Sequence, residues 1–205
     1  VAASEGDTVS GSTNFVAKMR DAQLLSSEVL VDAPKRFTHE VLRMPNGEVI
    51  DWYFVDTTPS VMVVPITNDG DVILVRQYRH NLKRDTLELP AGVAQQDEQV
   101  EDAALRELEE ETGYVLAATT ALQPLGPFYS LPSETNKYVH FFLAAGVVGS
   151  GTAPGDSEIE RYFEMSVVAM PLHDAVKEIG FAITGLETAG GLLLAQAHLG
   201  GADRT

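Results

Sequence analysis

Apolar and polar residues alternate along residues 26–31, 36–43 and 48–56, with β-branched side chains enriched. That period of two predicts strands with one covered face. Pro45-Asn46-Gly47 falls between the last two runs as a hairpin turn. Residues 14–57 therefore form a small antiparallel β subdomain, with residues 58–205 as the main domain. In the main domain, residues 61–66 and 72–78 predict two strands about a turn at Asn68-Asp69-Gly70. A short apolar run, Thr86-Leu87-Glu88-Leu89, leads to the turn signal Pro90-Ala91-Gly92. Residues 98–112 lack Gly and Pro and are rich in Ala, Leu, Glu and Gln, which predicts a helix capped by Asp97 and stopped by Gly113. Strands are expected at 118–126, 139–144 and 165–170, and helices at 172–179 and 186–199. Residues 146–155, GVVGSGTAPG, read as a flexible loop. Residues 1–13 are small and polar without period, a disordered tail. The order of elements predicts an α/β fold with a mixed sheet between helices.

Composition narrows the function. A length of 205 residues allows one domain with a sizeable core and a small appendage. Thirty acidic residues against 14 basic ones give a formal net charge of −16, which argues against a nucleic-acid backbone or an anionic membrane as partner. The chain has no cysteine, so neither a disulfide frame nor thiol chemistry is available. No apolar run approaches membrane-spanning length and no leader is visible, which makes a cytoplasmic protein the expectation.

The helix at 98–112 carries the chemistry. Stepping roughly 100° per residue puts Val100, Ala103, Ala104 and Leu108 on one side. Glu107, Glu110 and Glu111 continue that same side. Carboxylates three and four positions apart are neighbours and repel, and packing alone would favour Leu there. A hard divalent cation such as Mg²⁺ removes the conflict, because it takes carboxylate and phosphate oxygens. Arg106 reaches Glu110 one turn on and can hold its carboxylate. The rival reading, a solvated acidic face, expects the carboxylates opposite the apolar stripe and not within it.

Gly92, Glu98, Arg106-Glu107-Leu108, Glu110-Glu111 and Gly113 stand in the register of the Nudix box, and the segment 92–114 resembles it at each polar and glycine position. Tyr114 alone departs, since an aliphatic residue is more usual there. Nudix hydrolases cleave a nucleoside diphosphate linked to another moiety, and the resemblance implies a Nudix-type α/β/α sandwich. It implies Mg²⁺, which Mn²⁺ can replace, held by Glu107, Glu110 and Glu111, with Arg106 supporting the box.

The stretch Val75-Arg76-Gln77-Tyr78-Arg79 and the segment 87–92 further resemble the ADP-ribose pyrophosphatase branch. That resemblance implies Arg79, and secondarily Arg76, as phosphate contacts, and Glu88 with the Ala91 carbonyl as further metal ligands. It implies an N-terminal sheet that builds a homodimer and supplies an aromatic residue, here Trp52, to stack on adenine. It places the general base on the acidic loop after residue 155, at Glu158 or Glu160, with Glu98, Glu110 and Glu134 next in line. A proline beyond the box marks ADP-ribose specificity in this family. Here Pro132 stands a few residues further along, followed by Ser133 where glycine is usual, in a loop that also carries Glu134. Asn136 and Lys137 replace residues that are often acidic. The expected reaction is hydrolysis of ADP-ribose to AMP and ribose 5-phosphate. Other nucleotide sugars of the GDP-mannose type, dinucleoside polyphosphates, and a silent nucleotide-sensing Nudix-like domain are the alternatives.

Overall fold

Strand β4 (Ser60–Thr67), SVMVVPIT, is buried along almost all of its length, the mark of a strand covered on both faces. In the computed structural model, which describes residues 18–32, 35–151 and 165–202, it runs through the middle of an eight-stranded sheet. Its neighbours are β5 (Asp71–Arg79) and β10 (Tyr138–Gly149), the first antiparallel and the second parallel to it. Beyond them lie β11 (Ser166–Pro171) on β5 and β8 (Tyr114–Leu116) on β10. Three further strands pair locally: β6 (Arg84–Glu88) with β5, β7 (Ala91–Val93) with β4, and β9 (Gln123–Tyr129) with β10.

Alternation along the central strands sends side chains to two separate cores. Val61, Val63, Ile73, Phe142 and Ala144 pack with Ala103, Ala104 and Leu108 of α1 (Val100–Thr112). Met62, Val64, Leu74, Phe141 and Leu143 pack on the other face. There they meet Ala175 of α2 (Leu172–Lys177) and Leu192 and Ala195 of α3 (Leu186–Ala202). Helix, mixed sheet, helices: the order of elements predicts the mixed sheet between helices, and the α/β/α sandwich is the one the resemblance implies.

The chain divides into two compact units, residues 1–55 and 56–205. In the first, β1 (Gln23–Asp32), β2 (Arg36–Arg43) and β3 (Val49–Asp56) make an antiparallel sheet in that order. The turn at 45–47 closes with the Met44 amide donating to the Glu48 carbonyl at 2.8 Å. His39 stacks on Tyr53, ring centroids 4.5 Å apart, and Phe37 lies alongside at 6.1 Å.

Several boundaries differ from the sequence reading. Asp97 is not the helix cap: it holds a positive φ of 65°, and the cap position falls on Gln99, which makes no side-chain capping bond. Residues 118–122 are not a strand, and β9 begins only at Gln123. β10 runs on to Gly149, so the first four residues of the expected Gly-rich loop belong to the sheet. The 1–13 tail lies outside the described residues, as do Glu158 and Glu160.

Candidate active site

Helix α1 presents two carboxylates to the interior, one turn apart: Glu107 at 8% exposure and Glu111 at 9%. They flank Leu108, so they occupy the buried stripe as the spacing predicts. Glu110 does not share it. Its side chain is 51% exposed and accepts from Arg106 Nη1 at 2.9 Å.

The loop at β7 is built around these groups. The Ala91 amide donates to Glu111 Oε2 at 2.9 Å. An added Cβ on Gly92 would stand 1.9 Å from the Glu107 carboxyl carbon, so only glycine lets the backbone come this close. Backbone bonds fix the loop to the sheet: Met62 pairs with Ala91, and Val63 donates to the Pro90 carbonyl at 3.0 Å. At the other end of α1, Gly113 takes the left-handed conformation, φ 69°, and its amide donates back to the Glu109 carbonyl.

Arg106 is the organising cation. Its Nε and Nη2 donate to Glu98 at 2.8 and 3.0 Å, its Nη1 donates to Glu107 at 2.8 Å, and Nη2 also reaches the Val93 carbonyl. The Glu98 bond is the chief cause that raises the Arg106 pKa, with burial opposing and Glu107 adding to it. In return Arg106, helped by the Gln95 amide, lowers Glu98 to about 2. A carboxylate that acidic is a poor proton acceptor at neutral pH. Glu98 is therefore a brace that ties the loop to the helix, and it leaves the set of candidate bases.

Arg79 and Glu88, expected as phosphate contact and metal ligand, are paired with each other. Arg79 Nε and Nη2 donate to the two Glu88 oxygens at 2.9 and 2.5 Å, and Thr86 Oγ1 donates to Oε1 at 2.5 Å. Burial alone would raise the Glu88 pKa, but the bonds from Arg79 and Thr86 outweigh it and hold the group ionised. The Glu88 hydrogen bond likewise raises Arg79 against the opposing effect of burial, and the charges of Glu111 and Glu187 add to it. Arg79 thus stands within electrostatic reach of both α1 and the first turn of α3.

A pair missed in the sequence lies here too. Lys137 Nζ donates to both oxygens of Glu187, at 2.7 and 2.8 Å. The next residue, Thr188, accepts from the Leu89 amide at 3.2 Å, which ties α3 to the strand before Gly92. A Lys in one loop and a Glu on a helix fifty positions on carry no local pattern that pairs them.

The remaining candidates are spread out. Arg76 is exposed on β5, and Pro132 and Glu134 are exposed in the turn after β9. Trp52 is 41% exposed on the three-stranded sheet. Among the described residues no three acidic or histidine side chains converge as a ready-made metal cage. The donor chemistry nevertheless fits a hard cation: Glu107 and Glu111 are nearly buried carboxylates one turn apart, while Glu110 lies exposed on Arg106.

The fold and this box define a class. A family profile described as the NUDIX domain matches residues 56–184, and the chain belongs to the Nudix hydrolase family. It is an enzyme of that family. It is 34% identical to an ADP-ribose pyrophosphatase of Bacillus subtilis over 138 residues, 67% of this chain and 71% of that one. It is 31% identical, over the same shares, to a methanol dehydrogenase activator of Bacillus methanolicus. The solved structure of an ADP compounds hydrolase shares the fold, with a TM-score of 0.74 at 23% identity over 90% of this chain and 97% of that one. Among the described residues no helix is long and apolar enough to cross a membrane.

Proposed function

We propose that this enzyme hydrolyses the pyrophosphate bond of a nucleoside diphosphate sugar, ADP-ribose first among them, to AMP and ribose 5-phosphate with Mg²⁺. The observation that carries it is the burial of Glu107 and Glu111 on one face of α1 against the Gly92 loop, with Arg79 in reach of the Glu111 charge. The likeness to the Bacillus subtilis pyrophosphatase supports the substrate.

Glu107 and Glu111 would hold the cation, and Glu110, exposed and paired with Arg106, is the outer candidate. A Mg²⁺ ion bound there supplies positive charge to the diphosphate oxygens and makes water more acidic. The chain's own residues do the rest. Arg79, kept fully charged by Glu88, offers its remaining N–H donors to a phosphate oxygen and counters the charge that grows on the leaving group. The Ala91 amide fixes the Glu111 carboxylate, and Arg106 fixes Glu107, so neither must reorganise during reaction. Water adds to one phosphorus, the bridging P–O bond breaks, and a carboxylate outside the cation's shell takes the proton. Such a carboxylate keeps a higher pKa than one already committed to a cation. Glu158 and Glu160 remain our assignment for this step.

The test is a panel of nucleotide sugars and dinucleoside polyphosphates assayed with and without Mg²⁺, for the wild type and Glu111→Gln. Glu111→Gln keeps the volume and removes the charge, so turnover is expected to fall about 10²–10⁴-fold with an unchanged melting profile. Near-wild-type turnover at saturating Mg²⁺ would refute the site.

A further inference from the structure

The turn between β9 and β10 is fixed more firmly than a surface turn requires. The Lys137 amide donates to Thr135 Oγ1 at 3.0 Å, and its carbonyl accepts from the Ser130 amide at 3.1 Å. Asn136 pins the same turn to the start of the second unit, accepting from the Thr57 amide at 2.9 Å and donating to Asp56 at 2.5 Å. From this anchored turn the Lys137 ammonium grips both oxygens of Glu187 at 2.7 and 2.8 Å. Glu187 lies in the first turn of α3, where a negative charge also suits the helix dipole. The pair therefore sets where α3 begins. It stands close to the Arg79–Glu88 pair, since the charge of Glu187 acts on Arg79 and that of Lys137 on Glu88.

The next residue of α3 uses that placement. Thr188 is buried, and its Oγ1 accepts from the Leu89 amide at 3.2 Å. β6 ends at Glu88 and Leu89 is 1% exposed, so neither the β5 ladder nor water can replace that acceptor. One turn further on, a Cβ on Gly191 would stand 2.6 Å from Leu89 Cδ1, so the helix meets the Leu89 side chain as well as its backbone. Leu89 is followed by Pro90, whose ring fixes its own φ and restricts the residue before it, which makes the path to Ala91 stiff. The sheet holds the other side of that path through the Val63 amide on the Pro90 carbonyl. At its end the Ala91 amide donates to Glu111 Oε2 at 2.9 Å.

We infer that Lys137, Glu187 and Thr188 are positioning residues for the cation site: they lock the first turn of α3 onto Leu89, and through Leu89-Pro90-Ala91 they orient the Glu111 carboxylate. The inference rests on the reading of Glu111 as a cation ligand and extends it to residues that touch neither cation nor substrate. A ligand held by a chain of satisfied bonds keeps its direction when the cation is absent, so little of the binding energy goes into ordering it.

The test uses Mn²⁺ alone, without substrate, with the free ion counted by its paramagnetic resonance signal. Thr188→Val keeps the side-chain shape but leaves the buried Leu89 amide unpaired, and Lys137→Met releases Glu187 while touching neither core. Each should weaken Mn²⁺ binding about tenfold, the lower end for groups that orient a metal ligand. Thr188→Ser and Lys137→Arg, which restore the bonds, should bind as the wild type does. Hydrogen exchange at the Leu89 amide should quicken in the two weakened variants while the Val63 amide stays protected. Excess Mg²⁺ should recover their kcat, with KM for the nucleotide sugar little changed. Wild-type Mn²⁺ affinity in folded Thr188→Val would overturn the inference, as would unchanged Leu89 exchange in Lys137→Met or an equal loss in Thr188→Ser. If Glu111→Gln weakens Mn²⁺ binding and Thr188→Val does not, the positioning role alone fails. If Glu111→Gln binds Mn²⁺ as the wild type does, the cation reading fails and the positioning role with it.

Discussion

At the scale of single residues, the site depends on one missing side chain. Gly92 lies against the Glu107 carboxylate so closely that a methyl group cannot be added without moving one or the other. Glu107 is nearly buried and held by Arg106, so it cannot swing into solvent cheaply. Gly92→Ala is expected to displace the carboxylate, raising the Mg²⁺ concentration needed for half-maximal turnover and cutting kcat about 10²-fold or more, the scale for losing a catalytic group. A Mg²⁺ titration of turnover checks it. Glu98 predicts a pH dependence. Its pKa falls from 4.5 to about 2 on folding, so its pairing with Arg106 stabilises the fold fully above pH 4.5 and is lost as pH falls through 2. Urea melts of wild type and Glu98→Gln should differ at pH 6 and converge toward pH 2.5. Convergence on raising the pH instead would contradict the pairing. Most of these residues were legible in the sequence, because the box fixes them by spacing along one loop and one helix. The bonds that join Glu88 to Arg79 and Lys137 to Glu187 were not, because strand pairing and helix docking create those contacts.

At the scale of elements, the strands and helices were readable wherever burial gives a clean period. α1 carries such a period along one face, β4 and β5 read as nearly unbroken apolar runs bounded by turn signals, and each formed where expected. The misreadings fall where local chemistry and tertiary pairing disagree. Asp97 is a good cap by type, yet the brace from Arg106 to Glu98 holds the preceding loop so that the helix starts later. Gly146 and Gly149 look like loop residues, yet β8 lies alongside and supplies partners at Val147, Val148 and Gly149. Gly190 and Gly191 in α3 offer a test at this scale. Gly190→Ala gains helix propensity without a clash and should raise stability by about 1 kcal/mol. Gly191→Ala gains the same propensity but drives a methyl into buried Leu89 and Phe141, where overpacking costs about 1–3 kcal/mol, so it should be neutral to destabilising. Thermal melts of the two variants should therefore move apart, with Gly190→Ala the higher; the reverse order would mean that α3 does not rest on the sheet at Gly191.

At the scale of the whole molecule, the first unit presents a problem that its described residues do not solve. β1 is exposed at every position, and Leu24, Leu25, Val29, Leu30 and Val31 along it are large and apolar. It is also an edge of its three-stranded sheet, so half of its backbone donors and acceptors face outward. A long apolar edge strand of this kind invites pairing with another chain, and a sheet of three strands needs a covered face for stability. The net charge of −16 disfavours indiscriminate association, so the cover must be specific. We propose that a second copy supplies it and that the enzyme is a homodimer built through this sheet. Sedimentation at micromolar concentration should give twice the chain mass. Val29→Glu, which places a charge on the exposed strand, should shift the molecule to monomer without unfolding the second unit, whose two cores share no residue with β1. A wild type that sediments only as monomer would refute the assembly. A Val29→Glu variant that stays dimeric would place the contact on another surface.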